Sequence, residues 1–270
     1  MKKINIKKIS FVMGIIFIVG LGGSFITYKS GENKVSLEEI QYFNASNIDE
    51  LQIETINTRI NIYPTSEEEI KVSLVGETTK NMNYFLDVNF EEDEGILRVE
   101  VEEEQIGWVN LNFFGGFVEL SIYLPRKQYD LLDINTVNGA ITMRDVQATA
   151  IQMESRNGKV EAEGVFSEMM SIRNTNGRVG IKNSEGDLTV QTTNGHIDFI
   201  SETIDQKVDL KTTNGRILME LEKEPENATF ELSTLNGSAT IFGESLREKV
   251  FGEGENKVQL FTTNGRIQIN

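Results

Sequence analysis

Apolar and polar side chains alternate around a dipeptide that returns seven times along the chain. Asn-Gly occurs at Asn138-Gly139, Asn157-Gly158, Asn176-Gly177, Asn194-Gly195, Asn214-Gly215, Asn236-Gly237 and Asn264-Gly265, at spacings of 19, 19, 18, 20, 22 and 28 residues. Six and four residues before each Asn the chain is apolar, as in Ile151/Met153 and Leu188/Val190. Three and five residues after it the chain is apolar again, as in Val160/Ala162 and Ile197/Phe199. Two residues before the Asn stands a small polar group: Thr136, Ser155, Asn174, Thr192, Thr212, Thr234 or Thr262. A period of two predicts strands with one buried face. The inward set changes parity across Asn-Gly, so a corner is expected there, where Asn and Gly tolerate positive φ at low cost.

Two folds share such a corner. Asn-Gly between alternating strands is a hairpin signal and fits an antiparallel sandwich. A repeat near 20 residues instead signals coils stacked as a solenoid. A hairpin meander has no reason to reuse the words Thr-Thr-Asn-Gly at 192–195, 212–215 and 262–265. A solenoid does, because equivalent residues stack at ~4.8 Å and can form hydrogen-bonded ladders. We therefore expect an all-β, single-stranded parallel β-helix of about seven regular Asn-Gly coils over 131–270. The strands of 40–130 lack the phrase, although Ile56-Asn57-Thr58-Arg59-Ile60 resembles it without its Gly, and they read as degenerate coils. The last repeat ends at Asn270 with no capping coil, which leaves an open edge. The insert 242–257 is expected to cover it as an amphipathic lid, with Leu246 and Val250 inward at helical spacing.

The amino terminus changes the picture of where this rod sits. Residues 1–8 carry Lys2, Lys3, Lys7 and Lys8 and no acid, and 9–28 are uncharged and mostly apolar. Twenty such residues suffice for one transmembrane helix, with the lysines cytoplasmic. A cleaved signal peptide is the rival, but no A-x-A site appears and the chain has no cysteine for a lipid anchor. Residues 29–39 then read as a polar stalk, and everything after Lys29 is expected outside the cytoplasm. The whole chain has a net charge of −16, and setting the four lysines aside leaves −20 for 9–270. Such an acidic body lacks the basic footprint of a nucleic-acid binder.

With the order Leu124-Pro125, then strand, then Asn138-Gly139 and serial Thr-x-Asn-Gly repeats, the chain resembles the bacterial putative-adhesin β-strand-repeat family over roughly 45–270. Its lysine-flanked single anchor is most similar to the LiaG-type membrane-anchored members. The resemblance implies a β-helical extracytoplasmic domain in a Gram-positive-like envelope and an envelope-stress context. It implies no activity, since the family has no established catalytic residues to carry over.

Catalytic and cofactor signals are sparse. The chain lacks cysteine and the G-x-S-x-G, H-E-x-x-H and phosphate-loop motifs, and its one histidine, His196, falls at an outward position. Glu161 and Asp198 share an outward column, but Gly180 lies between them, so solvated surface acids are expected rather than a carboxylate pair. No cofactor, metal or nucleic acid is expected, and no enzyme. Two outliers remain. Lys159, Arg178, His196 and Arg216 fall two residues after their Asn on consecutive coils, either neutralising neighbours such as Glu154 and Glu161 or forming an anion-binding stripe. Trp108, Phe113, Phe114 and Phe117 crowd around Gly115-Gly116, either capping the core or forming a partner patch. The reading is a membrane-anchored, non-enzymatic interaction or sensing accessory of the envelope, whose partners are an envelope protein or anionic wall polymer. A β-helical enzyme on wall polysaccharide and a surface adhesin are the alternatives.

Overall fold

The computed structural model describes residues 34–79, 84–105 and 118–270. The expected anchor at 9–28 and the aromatic cluster Trp108, Phe113, Phe114 and Phe117 lie outside the described residues. Two 11-stranded sheets face each other. Each regular coil gives one strand to each sheet, as in Gln147–Ser155 followed by Val160–Glu163. Neighbouring coils pair in parallel and in register: Ile151 sits beside Leu132 and Met170, and Val160 beside Ile141 and Val179. The inward residues of both sheets fuse into one core, in which Ile151, Met153, Val160 and Ala162 are essentially inaccessible. Eleven strands at ~4.8 Å make a rod roughly 50 Å long.

The Asn-Gly corner forms as expected, but for a different reason. None of the seven corner glycines has positive φ. They are glycine because the next coil's backbone passes too close: a Cβ on Gly158 would lie 1.6 Å from the Gly139 carbonyl oxygen, and one on Gly195 1.8 Å from that of Gly177. At most corners the small polar residue two before the Asn completes the joint, although the buried Thr192 hydroxyl makes no such bond. Ser155 Oγ accepts from the Gly158 N–H at 2.9 Å and donates to the Gly139 carbonyl at 3.0 Å. Asn174 does both jobs with its amide, which explains why it can stand where the other coils have a hydroxyl.

Outside that joint runs the asparagine ladder. Each Nδ2 donates to the Oδ1 of the adjoining coil at 2.6–2.8 Å, from Asn236 through Asn264, Asn214, Asn194, Asn176, Asn157 and Asn138 to Asn57. Asn57 shows that the Gly-less phrase is a true member of the stack. Positive φ belongs to the opposite corner, at Asp145 (49°), Gly164 (63°) and Asn183 (47°), where one residue turns the chain between sheets. Asp, Gly and Asn are the residues that adopt this conformation most readily.

The expectation of stacked coils is met in part: through the middle of the rod they pair in parallel in chain order, whereas at both ends the order departs from the chain and antiparallel strands join. The coil 256–269 does not follow 228–241 outward. It is wedged between 208–221 and 228–241, since Ile267 pairs with both Ile217 and Ala239. Likewise the strands of 50–65 lie between those of 96–105 and 118–125 on one side and those of 128–144 on the other. Beyond these, antiparallel strands close the stack: Lys34–Asn44 and Glu69–Thr79 on one sheet, Tyr84–Asp93 on the other, and Glu248–Phe251 at the far end. From Lys34 onward, the segment expected as a stalk is therefore an outer strand.

The helical lid is also corrected. Glu248–Phe251 is a strand beside Ala228–Thr234. Its period of two turns Phe251 toward the core and leaves Val250 exposed. Phe251 meets Phe230 and Phe242 edge-on, both at 5.8 Å, and Leu246 packs half-buried against the core.

Replacing Gly195 by Ala should cost ~1–3 kcal/mol, the usual range for forced overpacking. Asn183→Gly, at a site already left-handed, should change stability by no more than a few tenths, whereas Asn183→Ala should cost ~1 kcal/mol. Urea melts of the three variants check the assignment of different roles to the two corners.

Candidate functional site

The residue after each corner glycine is fixed by the stack rather than by its own side chain. Its carbonyl accepts the first N–H of the neighbouring strand: Lys159 O from Ile141, Arg178 O from Val160, His196 O from Val179, Arg216 O from Ile197 and Arg266 O from Ile217, all at 2.8–3.0 Å. The side chains project outward at ~4.8 Å intervals. Because the last coil is wedged inward, Arg266 stands directly beside Arg216. The stripe expected from Lys159, Arg178, His196 and Arg216 thus gains a fifth member that chain order had separated by Ser238.

Part of this charge is neutralised locally. Lys159 Nζ lies 2.5 Å from Glu161, an exposed pair. Asp198 overturns the expectation of a solvated surface acid. It is only 6% exposed, held between Arg178 Nε and Arg216 Nη2, the latter at 3.3 Å, while both arginine side chains remain about half exposed. His196, between those arginines, accepts the Arg216 backbone N–H at Nδ1 (3.1 Å). Arg266 has no carboxylate partner among the described residues. With Arg216, it frames a recess of about 280 Å³ floored by Ile217, Leu218 and Gln268. Glu161 and Asp198 sit two coils apart with Gly180 between them, each occupied by a cation. Among the described residues no group of His, Cys, Asp and Glu could hold a metal ion.

The family model of the Toastrack DUF4097 proteins matches residues 48–161 and again 138–270. The chain belongs to the Toastrack DUF4097 family. No curated protein matches it. Among solved structures, this Toastrack chain is similar to a putative cell adhesion protein from Clostridium sporogenes ATCC 15579, at 14% identity and a TM-score of 0.42, covering 87% of this chain and 99% of that one. It is also similar to a putative lipid binding protein from Parabacteroides distasonis ATCC 8503 (15%, TM-score 0.48, 87% and 97%). A putative adhesin from Bacteroides fragilis NCTC 9343 matches at 10%, with a TM-score of 0.41 over 87% and 97%. The putative-adhesin resemblance read from the repeats is in accord with this membership.

Asp198→Asn should destabilise the Toastrack fold by ~1–2 kcal/mol, because it removes two charge-assisted contacts to a buried group whose partners can still reach water. Glu161→Gln, breaking an exposed pair, should cost ~0.5 kcal/mol or less. Denaturant midpoints of the two variants rank the interactions.

Proposed function

We propose that this protein is a non-enzymatic interaction module of the bacterial cell envelope. It is anchored in the cytoplasmic membrane in the manner of LiaG-type members and displayed on its outer face, in an envelope-stress setting. Its working part is the cation row, which docks a phosphate-bearing polyanion such as a wall teichoic acid. The observation that carries this reading is the Arg216–Arg266 recess: two exposed guanidiniums on adjacent coils, one of them without a carboxylate, open onto a small concavity. Planar guanidinium forks suit phosphate oxygens, and a row with a ~5 Å pitch offers them repeatedly.

The whole chain is acidic, so a long-range field would repel a polyanion and the row must act at close quarters. The Debye length of ~8 Å at physiological ionic strength confines both effects to near contact. The aromatic segment containing Trp108, Phe113, Phe114 and Phe117 is uncharged from Ile106 to Val118 and belongs in this proposal as a second contact, for an envelope protein or for lipid.

Calorimetry of the full chain in neutral detergent with a soluble glycerol-phosphate polymer tests the row. Binding should weaken as salt rises and should fall about tenfold or more in Arg216→Gln/Arg266→Gln, the loss of two charge-assisted contacts. Equal affinity of variant and wild type would remove the row as the site.

A further inference from the structure

Charge is distributed unequally across the rod. At the eight stacked corners from Asn57 to Asn236, the residue before each Asn and the two after it include Arg59, Arg156, Lys159, Arg178, Arg216 and Arg266 and no acid. The opposite edge, at the far ends of the first sheet's strands, carries exposed Glu67, Glu68, Glu69, Asp205, Glu224 and Glu226, which outnumber Arg126, Lys127, Lys207 and Lys223 there. The chain also enters the fold from the Asn-Gly side. Lys34 pairs with Thr79, three residues past Gly76, and Gly76 pairs with Val118, beside the Glu119 that lies against Arg59. The strand Lys34–Asn44 therefore begins beyond the Asn-Gly edge and runs across the rod rather than along it.

We infer that the Asn-Gly edge docks on the anionic lipid headgroups of the bilayer that holds the anchor, so that the rod lies along the membrane. This rests on the anion-docking reading above and takes the bilayer's own lipid phosphates, rather than a wall polymer, as the anions the row meets. Five residues separate Tyr28 from Lys34, a tether of roughly 18 Å at full extension. Strands run perpendicular to the rod axis, so a first strand rising from the membrane sets that axis parallel to the surface.

Sheet order puts Lys159 five strands from the entry strand and Arg266 nine, roughly 24 to 43 Å along the axis. The tether holds one end and the row draws down the other. Groups facing the row from adjoining elements are Glu161 and Asp198, both paired, and Glu154 one position below the edge. Glu102, in the outermost coil on the tethered side, lies beyond the row and limits the docking surface to the far half. The acidic edge stands roughly 15–20 Å away across the strands, about two Debye lengths of ~8 Å, so its repulsion is largely screened. Cations within one Debye length of an anionic leaflet are attracted to it individually.

The chain has no native cysteine, so single labels report orientation cleanly. Thr193→Cys places a fluorophore on the Asn-Gly edge and Asp205→Cys places one on the acidic edge, in the full chain reconstituted in vesicles with a headgroup-borne quencher. On phosphatidylglycerol vesicles the Thr193 label should be quenched severalfold more than the Asp205 label. The contrast should collapse on neutral phosphatidylcholine, in high salt, and in Lys159→Gln/Arg266→Gln, a variant that leaves both arginine partners of Asp198 in place. Equal quenching on phosphatidylglycerol, or a contrast indifferent to lipid charge and salt, overturns the inference. The glycerol-phosphate polymer titration separates the two readings. Polymer binding with equal quenching overturns membrane docking alone, whereas a quenching contrast without polymer binding supports docking and assigns the row to lipid.

Discussion

The close approach of consecutive backbones at the Asn-Gly corner is the constraint on which the rest depends. Each corner glycine lies against the corner carbonyl of an adjoining coil, that of Thr58 for Gly139 and that of another corner glycine for the other six, at a separation that leaves no room for a methyl group. That contact sets the coil pitch at its tightest point, and Ser155, Asn174, Thr212, Thr234 and Thr262, two positions before their Asn, bridge the joint. The core then follows. Once the corners register, Val160, Val179, Ile197 and Ile217 must stack side by side, and the sheets close over them. The asparagine ladder lies outside this joint and is exposed, so each of its bonds adds on the order of 1 kcal/mol or less. It reinforces a register that the glycines already impose.

A stack held this way has two open ends, and both are handled alike. The outer coil at each end is separated from its sequence neighbour by another coil, and an antiparallel strand then lies against it. At the carboxyl end, the final coil is held on both faces, and the outer position passes to 228–241. The exposed edge there is the short Ala239–Ile241, whose last residue folds back to Glu244. Short, bent edges offer a poor template for pairing with another chain. The terminal segment is thereby placed where fraying is least favourable.

Much of the regular fold was legible because the repeat obeys one rule per position. Inward positions, corner dipeptide and polar bridge could all be read from the alternation and the period. What remained hidden depends on contacts rather than pattern. Asn-Gly is equally compatible with positive φ and with steric exclusion, and only the neighbouring coil's carbonyl distinguishes them. The second corner was readable in principle as Asp145, Gly164 and Asn183 at a 19-residue spacing, but it lacks a repeated word. Coil order was written in the sequence as well. The Thr-Thr-Asn-Gly copies at 192, 212 and 262 are consecutive in space, while the divergent Thr234-Leu235-Asn236-Gly237 is the outer coil. For the candidate site, four row members were consecutive in the chain, whereas Arg266, also two after its Asn, stood apart behind Ser238 because its neighbour in space is 50 residues away. Asp198 looked like any outward acid until two arginines from flanking coils closed over it.

The row also carries an energetic argument. Like charges stacked ~4.8 Å apart repel by roughly 1 kcal/mol per pair even in water, so a solenoid gains nothing in stability by placing cations on successive coils. Here the repulsion is moderated at two points: Glu161 on Lys159, and Asp198 shared by Arg178 and Arg216. Arg266 beside Arg216 has no such relief among the described residues. Arg266 is thus a cation whose repulsion by Arg216 no carboxylate among the described residues offsets, standing at the mouth of a recess. The rest of the corner is committed to holding coils together. The residue after the glycine is where this architecture leaves a side chain free to meet something else.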